Sequence, residues 1–119
     1  MSEKEKMLAG KLYLASDPQL TAERQNARRI TRLYNATGED EQDRRQDLIR
    51  ELFGSVGTDV YIEPSFRCDY GYNIKAGNGF YANFDCIILD VCPVNIGDNV
   101  FFGPCVKICT ATHPLESEI

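Results

Sequence analysis

The chain has 119 residues, one domain's worth, with 43% hydrophobic residues and a formal net charge of −5. That acidic balance argues against a nucleic acid or an anionic membrane as partner. No apolar run is long enough to span a bilayer, and Met1-Ser2-Glu3-Lys4-Glu5-Lys6 lacks the apolar core of a signal peptide, so a soluble, cytoplasmic chain is predicted.

Residues 1–55 read as an α-helical N-terminal segment. Ser2-Glu3-Lys4-Glu5 has the form of a capping box and predicts a short helix over about residues 3–9, ending at Gly10. Met7, Leu8, Leu12, Tyr13 and Leu14 give this arm an apolar side. Asp17-Pro18 is a second helix start, with Asp17 as N-cap. From there Leu20, Ala27, Ile30, Leu33 and Tyr34 recur at helical spacing, and Gly38 is placed to close the helix. A third helix is predicted from Glu39 to Phe53, with Leu48, Ile49, Leu52 and Phe53 on one face. The arginines of this segment (Arg24, Arg28, Arg29, Arg32, Arg44, Arg45, Arg50) alternate with acids, which predicts a salt-bridged, solvated surface rather than a basic patch. The segment reads as a cap laid over one end or side of the remaining chain, covering its open strand edges.

From Val56 to His113 the chain changes period. Taken in sixes, Val56, Ile62, Cys68, Ile74, Phe80, Cys86 and Cys92 lead, then the frame slips and Ile96, Phe102 and Ile108 continue the count. The positions four after each lead form a second track: Val60, Phe66, Tyr72, Asn78, Phe84, Asp90, Val100, Val106 and Thr112. The slip falls at Asp90-Val91-Cys92-Pro93, where Pro93 removes a backbone donor. Turn formers fill the places between, as in Ala76-Gly77-Asn78-Gly79 and Ile96-Gly97-Asp98-Asn99. A six-residue period carries lead residues around a helix to different faces, and a sandwich of ordinary strands would show period two. A period of six suits a parallel β-helix of very short strands. Three sixes predict an 18-residue coil that stacks Val56, Ile74 and Cys92, sets Ile62 over Phe80, and sets Cys68 over Cys86. Residues 56–119 are thus assigned to the solenoid, which is expected to be incomplete at its C-terminal end.

The five cysteines are odd in number and lack C-x-x-C spacing. Reduced, buried, small hydrophobes is the favoured reading over a zinc site, although a stacked Cys68–Cys86 pair is open to oxidation outside a reducing compartment. His113 is the one histidine, in Thr110-Ala111-Thr112-His113-Pro114. A lone histidine does not make a metal centre of about three nitrogen ligands, and no serine stands in a nucleophile-elbow context. His113 is either a surface residue in a proline-bounded loop or a general base that titrates near neutral pH.

Three stretches carry a resemblance: Asn78-Gly79-Phe80-Tyr81-Ala82-Asn83-Phe84-Asp85, then Ile96-Gly97-Asp98-Asn99-Val100-Phe101-Phe102-Gly103-Pro104, then Thr112-His113-Pro114. With Met7-Leu8-Ala9-Gly10-Lys11-Leu12-Tyr13 and Asp17-Pro18-Gln19-Leu20 in front, the whole chain resembles the maltose and galactoside O-acetyltransferase family, the maltose branch more closely. The resemblance implies a left-handed parallel β-helix, a homotrimer, a sugar acceptor such as maltose or glucose, and acetyl-CoA as donor. It implies that His113 deprotonates the sugar hydroxyl, which attacks the thioester directly without an acyl-enzyme. It puts acceptor-binding positions on Asp69, Tyr81 and Asn83; Asp69 stands where some members carry a serine, while Asp17 keeps its N-cap role. Members of the family continue past the histidine into coils that carry much of the acetyl-CoA groove, so these 119 residues alone are expected to be inactive. The alternative is a non-catalytic solenoid that only oligomerises or binds a partner; a γ-type carbonic anhydrase on the same fold conflicts with the single histidine.

Overall fold

The computed structural model of the protein describes residues 1–110. Three helices come first: α1 (Glu3–Leu8), α2 (Pro18–Asn35) and α3 (Gln42–Leu52). Nine short strands come after them: β1 (Ser55–Val56), β2 (Tyr61–Ile62), β3 (Phe66–Cys68), β4 (Ile74–Ala76), β5 (Tyr81–Ala82), β6 (Cys86–Leu89), β7 (Val94–Ile96), β8 (Phe101–Phe102) and β9 (Lys107–Cys109). They make three parallel sheets, β1-β4-β7, β2-β5-β8 and β3-β6-β9, one per side of the coil.

Local chemistry sets the helix starts. The Ser2 hydroxyl accepts from the Glu5 N–H while the Glu5 side chain accepts from the Ser2 N–H, which closes the predicted capping box. Asp17 caps α2 through the Leu20 N–H at 3.2 Å, with Pro18 in the first turn. The helix ends differ from the prediction. α2 stops at Asn35 rather than reaching Gly38, because the Thr37 hydroxyl donates to the Tyr34 carbonyl at 2.6 Å and breaks the ladder. α3 begins at Gln42, since Gly38 to Glu41 form a turn held by Glu41 N–H to the Gly38 carbonyl and Gly38 N–H to Glu41 Oε1. Arg45 is buried in that connection, its Nε donating to Thr37 Oγ1 at 2.8 Å.

The coil is 20 residues long, not 18. Ser55 faces Lys75, Tyr61 faces Tyr81, Phe66 faces Cys86 and Ile74 faces Val94, each pair 20 apart. Each inward strand points two side chains two residues apart into the core, so the two inward tracks run with different members from those expected. The first runs Val60, Phe66, then Ile74, Phe80, Cys86, then Val94, Val100, Val106. The second runs Val56, Ile62, Cys68, then Ala76, Ala82, Ile88, then Ile96, Phe102, Ile108. Within a coil the step is six, and across the wide third corner it is eight. Six residues beyond Cys68, the end of its track in the first coil, lies Ile74, which is also apolar and buried but belongs to the other track. The predicted columns therefore fail: Val56 sits under Ala76 and Ile96, Ile62 under Ala82 and Phe102, and Cys68 under Ile88. Ile62, Ile74, Phe80 and Cys86 are fully buried and Cys68 partly so, as core positions of the solenoid. Asn78 and Phe84, placed inward by the expected second track, are exposed corner residues, and Tyr72 is half-buried. Cys86 stacks on Phe66 of the neighbouring coil, so the expected Cys68–Cys86 stack does not form, and none of the five cysteines is in a disulfide.

The corners repeat as the strands do. Asp59, Gly79 and Asn99, 20 apart, share a left-handed backbone conformation with φ of 57°, 73° and 57°. At Gly79 a Cβ would meet Asn99 Oδ1 at 2.6 Å, so a larger residue there would have to displace that side-chain amide, while Asp59 and Asn99 adopt the same φ without glycine.

The helices close the free edge of the first coil. Tyr34 Oη donates to the Ile62 carbonyl at 2.5 Å and Gln46 Nε2 to the Val60 carbonyl at 2.7 Å. Asn35 pairs with Phe66 as a neighbouring strand would, accepting its N–H at 2.9 Å and donating to its carbonyl at 3.0 Å. Ala27, Ile30, Tyr34, Leu48, Ile49, Leu52 and Phe53 join the strand core in one cluster. Of the N-terminal arm only Met7 is buried; Leu8, Leu12 and Leu14 are exposed, against the expected apolar side.

Candidate functional site

The third corner, residues 69–73, turns the chain from β3 to β4, and its backbone N–H groups have no strand to pair with. Asp90, one coil above Tyr70, supplies the acceptors. Its Oδ1 accepts from the N–H of Asp69 (3.1 Å) and Tyr70 (2.9 Å), and its Oδ2 from Gly71 (2.7 Å) and Asn73 (3.3 Å). The Asn73 side chain donates back to the Asp90 carbonyl at 2.7 Å. Burial pushes the Asp90 carboxyl above the ordinary aspartate value, against the pull of those N–H groups. Gly71 has φ +86°, and a Cβ there would meet the Leu52 side chain at 2.5 Å. Thr110 takes the same corner one coil later, accepting from the Cys92 N–H at 2.9 Å and donating to the Leu89 carbonyl at 2.8 Å.

This corner fixes the backbone of Asp69, whose side chain enters a cleft of about 500 Å³ between the corner, α2 and the arm that precedes it. Tyr13, Arg24, Tyr70, Val91 and Cys109 line it with Asp69. Arg24 ties the walls together, donating to Tyr70 Oη at 2.8 Å, to the Ala15 carbonyl at 2.8 Å and to Thr21 Oγ1 at 3.3 Å. Burial raises the Asp69 carboxyl, while the Arg24 and Arg28 guanidinium groups pull it down. Burial also pushes the Tyr13 and Tyr70 phenols up, so both keep their protons at neutral pH. Among the described residues the Asp69 side chain has no hydrogen-bond or ion-pair partner, so its oxygens are available to a ligand. A carboxylate acceptor, two phenols and a guanidinium beside the apolar Val91 form a set suited to a ligand bearing several hydroxyls.

The other expected residues lie elsewhere. Tyr81 is on the outer side of β5, its ring stacked between Tyr61 (5.4 Å) and Phe101 (5.2 Å). Asn83 begins the next corner, its Oδ1 accepting from the Phe84 N–H at 2.8 Å, with its amide nitrogen turned to no partner among the described residues. Both belong to the β2-β5-β8 side, and Asp69 to the far end of the β3-β6-β9 side, so one chain does not bring them together. His113 lies outside the described residues. Sequence reasoning misses Arg24, Tyr13 and Tyr70 as site residues; the signal available is the adjacency of Tyr70 to Asp69, whereas Arg24 reads as one more surface arginine.

Residues 6–57 match the family described as Mac, the maltose acetyltransferase hexapeptide capping motif. Nodulation protein L of Rhizobium leguminosarum bv. viciae is 46% identical over 117 residues, 98% of this chain and 62% of that protein. The crystal structure of a maltose O-acetyltransferase from Clostridium difficile 630 superposes with a TM-score of 0.96 at 55% identity, covering 98% of this chain and 63% of that one. A galactoside acetyltransferase in complex with coenzyme A gives a TM-score of 0.92 at 35% identity, over 98% of this chain and 58% of the other. The coil is accordingly a left-handed parallel β-helix with a helical N-terminal segment. The chain spans about 60% of the length of the curated relatives it matches.

Proposed function

We propose that this chain, a member of the maltose and galactoside O-acetyltransferase family, carries the acceptor side of an enzyme that moves an acetyl group from acetyl-CoA to a sugar hydroxyl. The observation that carries this reading is the Asp69 cleft, where a partner-free carboxylate faces two protonated phenols and a guanidinium. Asp69 accepts a hydrogen bond from one sugar hydroxyl and orients the ring, and Tyr13 and Tyr70 offer further donors and acceptors. His113 takes the proton of the attacking hydroxyl, and the oxygen attacks the thioester carbonyl directly, with no acyl-enzyme. The carbon–sulfur bond breaks, the acetyl group stays on the sugar oxygen, and the departing thiolate takes up the proton from His113. Tyr81 and Asn83 contribute from a second copy of the chain in a homotrimer, since within one copy they stand on another side of the coil.

The test supplies acetyl-CoA with maltose or glucose to a full-length protein containing this segment and measures free thiol over time. Thiol release that depends on sugar supports the reading. Its absence with every sugar leaves the solenoid as an oligomerisation or partner-binding element. His113→Ala should lower turnover about 10²–10⁴-fold, the range for loss of a general base, with little change in acetyl-CoA binding. The 119 residues alone should turn over little, since catalysis also needs the thioester held within about 3.5 Å of the hydroxyl. Micromolar acetyl-CoA binding together with sugar acetylation by the 119-residue chain would refute that last expectation.

A further inference from the structure

The Asp69 cleft does not end at Asp69. It shares Asp69 and Leu89 with a tighter space of about 260 Å³ lined by Arg28, Arg67 and Lys107. That space in turn shares Arg28, Thr31 and Arg67 with one of about 400 Å³ that adds Arg32 and Asn35. The three make one groove between α2 and the outer face of the β3-β6-β9 sheet. Two periodicities bring its cations together. Arg28 and Arg32 are four apart on α2 and so share a side of the helix. Arg67 and Lys107 fall in one column of the parallel sheet, above and below Ile87.

None of these four cations makes an ion pair with an acid among the described residues. The pairs that do form use Lys4, Lys6, Arg29 and Arg50. Four cations facing one carboxylate, Asp69, in a chain of net charge −5 are a local reversal of sign. Arg28, Arg32, Arg67 and Lys107 are exposed, so water and salt screen their mutual repulsion, and the groove walls concentrate the positive field that remains. The guanidinium forks of Arg28 and Arg67 match the paired oxygens of a phosphate or carboxylate.

We infer that the acceptor is a sugar carrying an anionic substituent, a phosphate or a carboxylate, with its ring in the Asp69 cleft and its anion among Arg28, Arg67 and Lys107. The inference rests on the acceptor cleft of the proposed function and names the class of sugar it takes. Asp69 stands at the junction, where it accepts from ring hydroxyls and repels a misplaced anion. The smaller space has room for one charged substituent rather than a polymer.

The experiment compares binding of glucose, glucose 6-phosphate, glucuronate and inorganic phosphate to the chain by calorimetry and by shifts of amide resonances. The anionic sugars should bind about tenfold more tightly than glucose, as expected for a few partly exposed charge contacts, and lose that advantage at high ionic strength. Arg67→Gln and Lys107→Gln should each lower the ratio of anionic-sugar to glucose affinity about threefold, a fraction of one such contact. Equal affinities for glucose and glucose 6-phosphate would overturn the inference. So would a phosphate site with no gain for the sugar phosphate, or an Arg67→Gln variant whose main effect is to dissociate copies of the chain, which would give the groove to a second copy's acids. In the full-length protein, acetylation of neutral sugars in preference to anionic ones defeats this inference and leaves the proposed function standing; no acetylation of either there defeats both.

Discussion

The first and third coils share one register, yet they are held in different ways. In the first, Val60, Ile62 and Phe66 are buried, and helix side chains satisfy the outer backbone groups of those same residues. In the third, Val100, Phe102 and Val106 occupy the same columns but are only half-buried among the described residues. The periodicity is equal and the burial is not. In a solenoid, a side chain's contribution comes from the layers on both of its sides as much as from its own apolar area.

The comparison can be broken experimentally. Phe80 lies in the middle coil, fully buried and edge-on to Phe102 at 5.0 Å, so Phe80→Ala should cost about 3–5 kcal/mol in urea unfolding. A cost near that of an exposed site would mean that the coils do not stack as described. Val60 and Val100 share one column, which makes them the sharper pair. In this 119-residue chain Val60→Ala should cost about 1.5–3 kcal/mol, two buried methyl groups at about 0.8 kcal/mol each plus the cavity left behind, and Val100→Ala less than half of that. Equal costs would remove the difference between the two ends.

Tyr34→Phe tests the helical edge. It leaves the Ile62 carbonyl without its donor and should cost about 1–2 kcal/mol, measured against wild type with the helices intact by circular dichroism. The smallest effect concerns pH. Because burial raises the folded value of Asp90 above the ordinary one, its contribution is fully present below the unfolded pKa of about 4 and is lost as pH rises through the folded value. The stability advantage of wild type over Asp90→Asn should therefore shrink with rising pH across that window. An advantage that widens instead would show that the four N–H donors outweigh burial.

Much of the architecture is legible in the residues. The capping box at Ser2 and the Asp17-Pro18 start need only local hydrogen bonding and the fixed φ of proline, and both stand. The six-residue step is legible because it is the step within each coil. The 20-residue coil is not, because two apolar tracks run two residues apart and Ile74 continues the count from Cys68 while belonging to the other track. Asp69 is legible only through resemblance. Its cleft depends on Arg24, which in sequence is one arginine among several and in the fold alone reaches Tyr70 and Ala15.

The amino-acid sequence by itself determined the helix starts, the change from helical to six-residue period near residue 55, and the apolar identity of the solenoid's inner side chains. These arise from contacts between residues a few places apart, which every chain of this sequence makes. Only the tertiary structure decided the register, the role of Asp90 and the cations gathered along α2. Asp90 meets the 69–73 corner from about 20 residues away, and Arg28 and Lys107, far apart in the chain, line one space. No local pattern carries such pairings, because the length of the wide corner sets which residues face each other, and that length is fixed when Asp90 satisfies the corner's N–H groups.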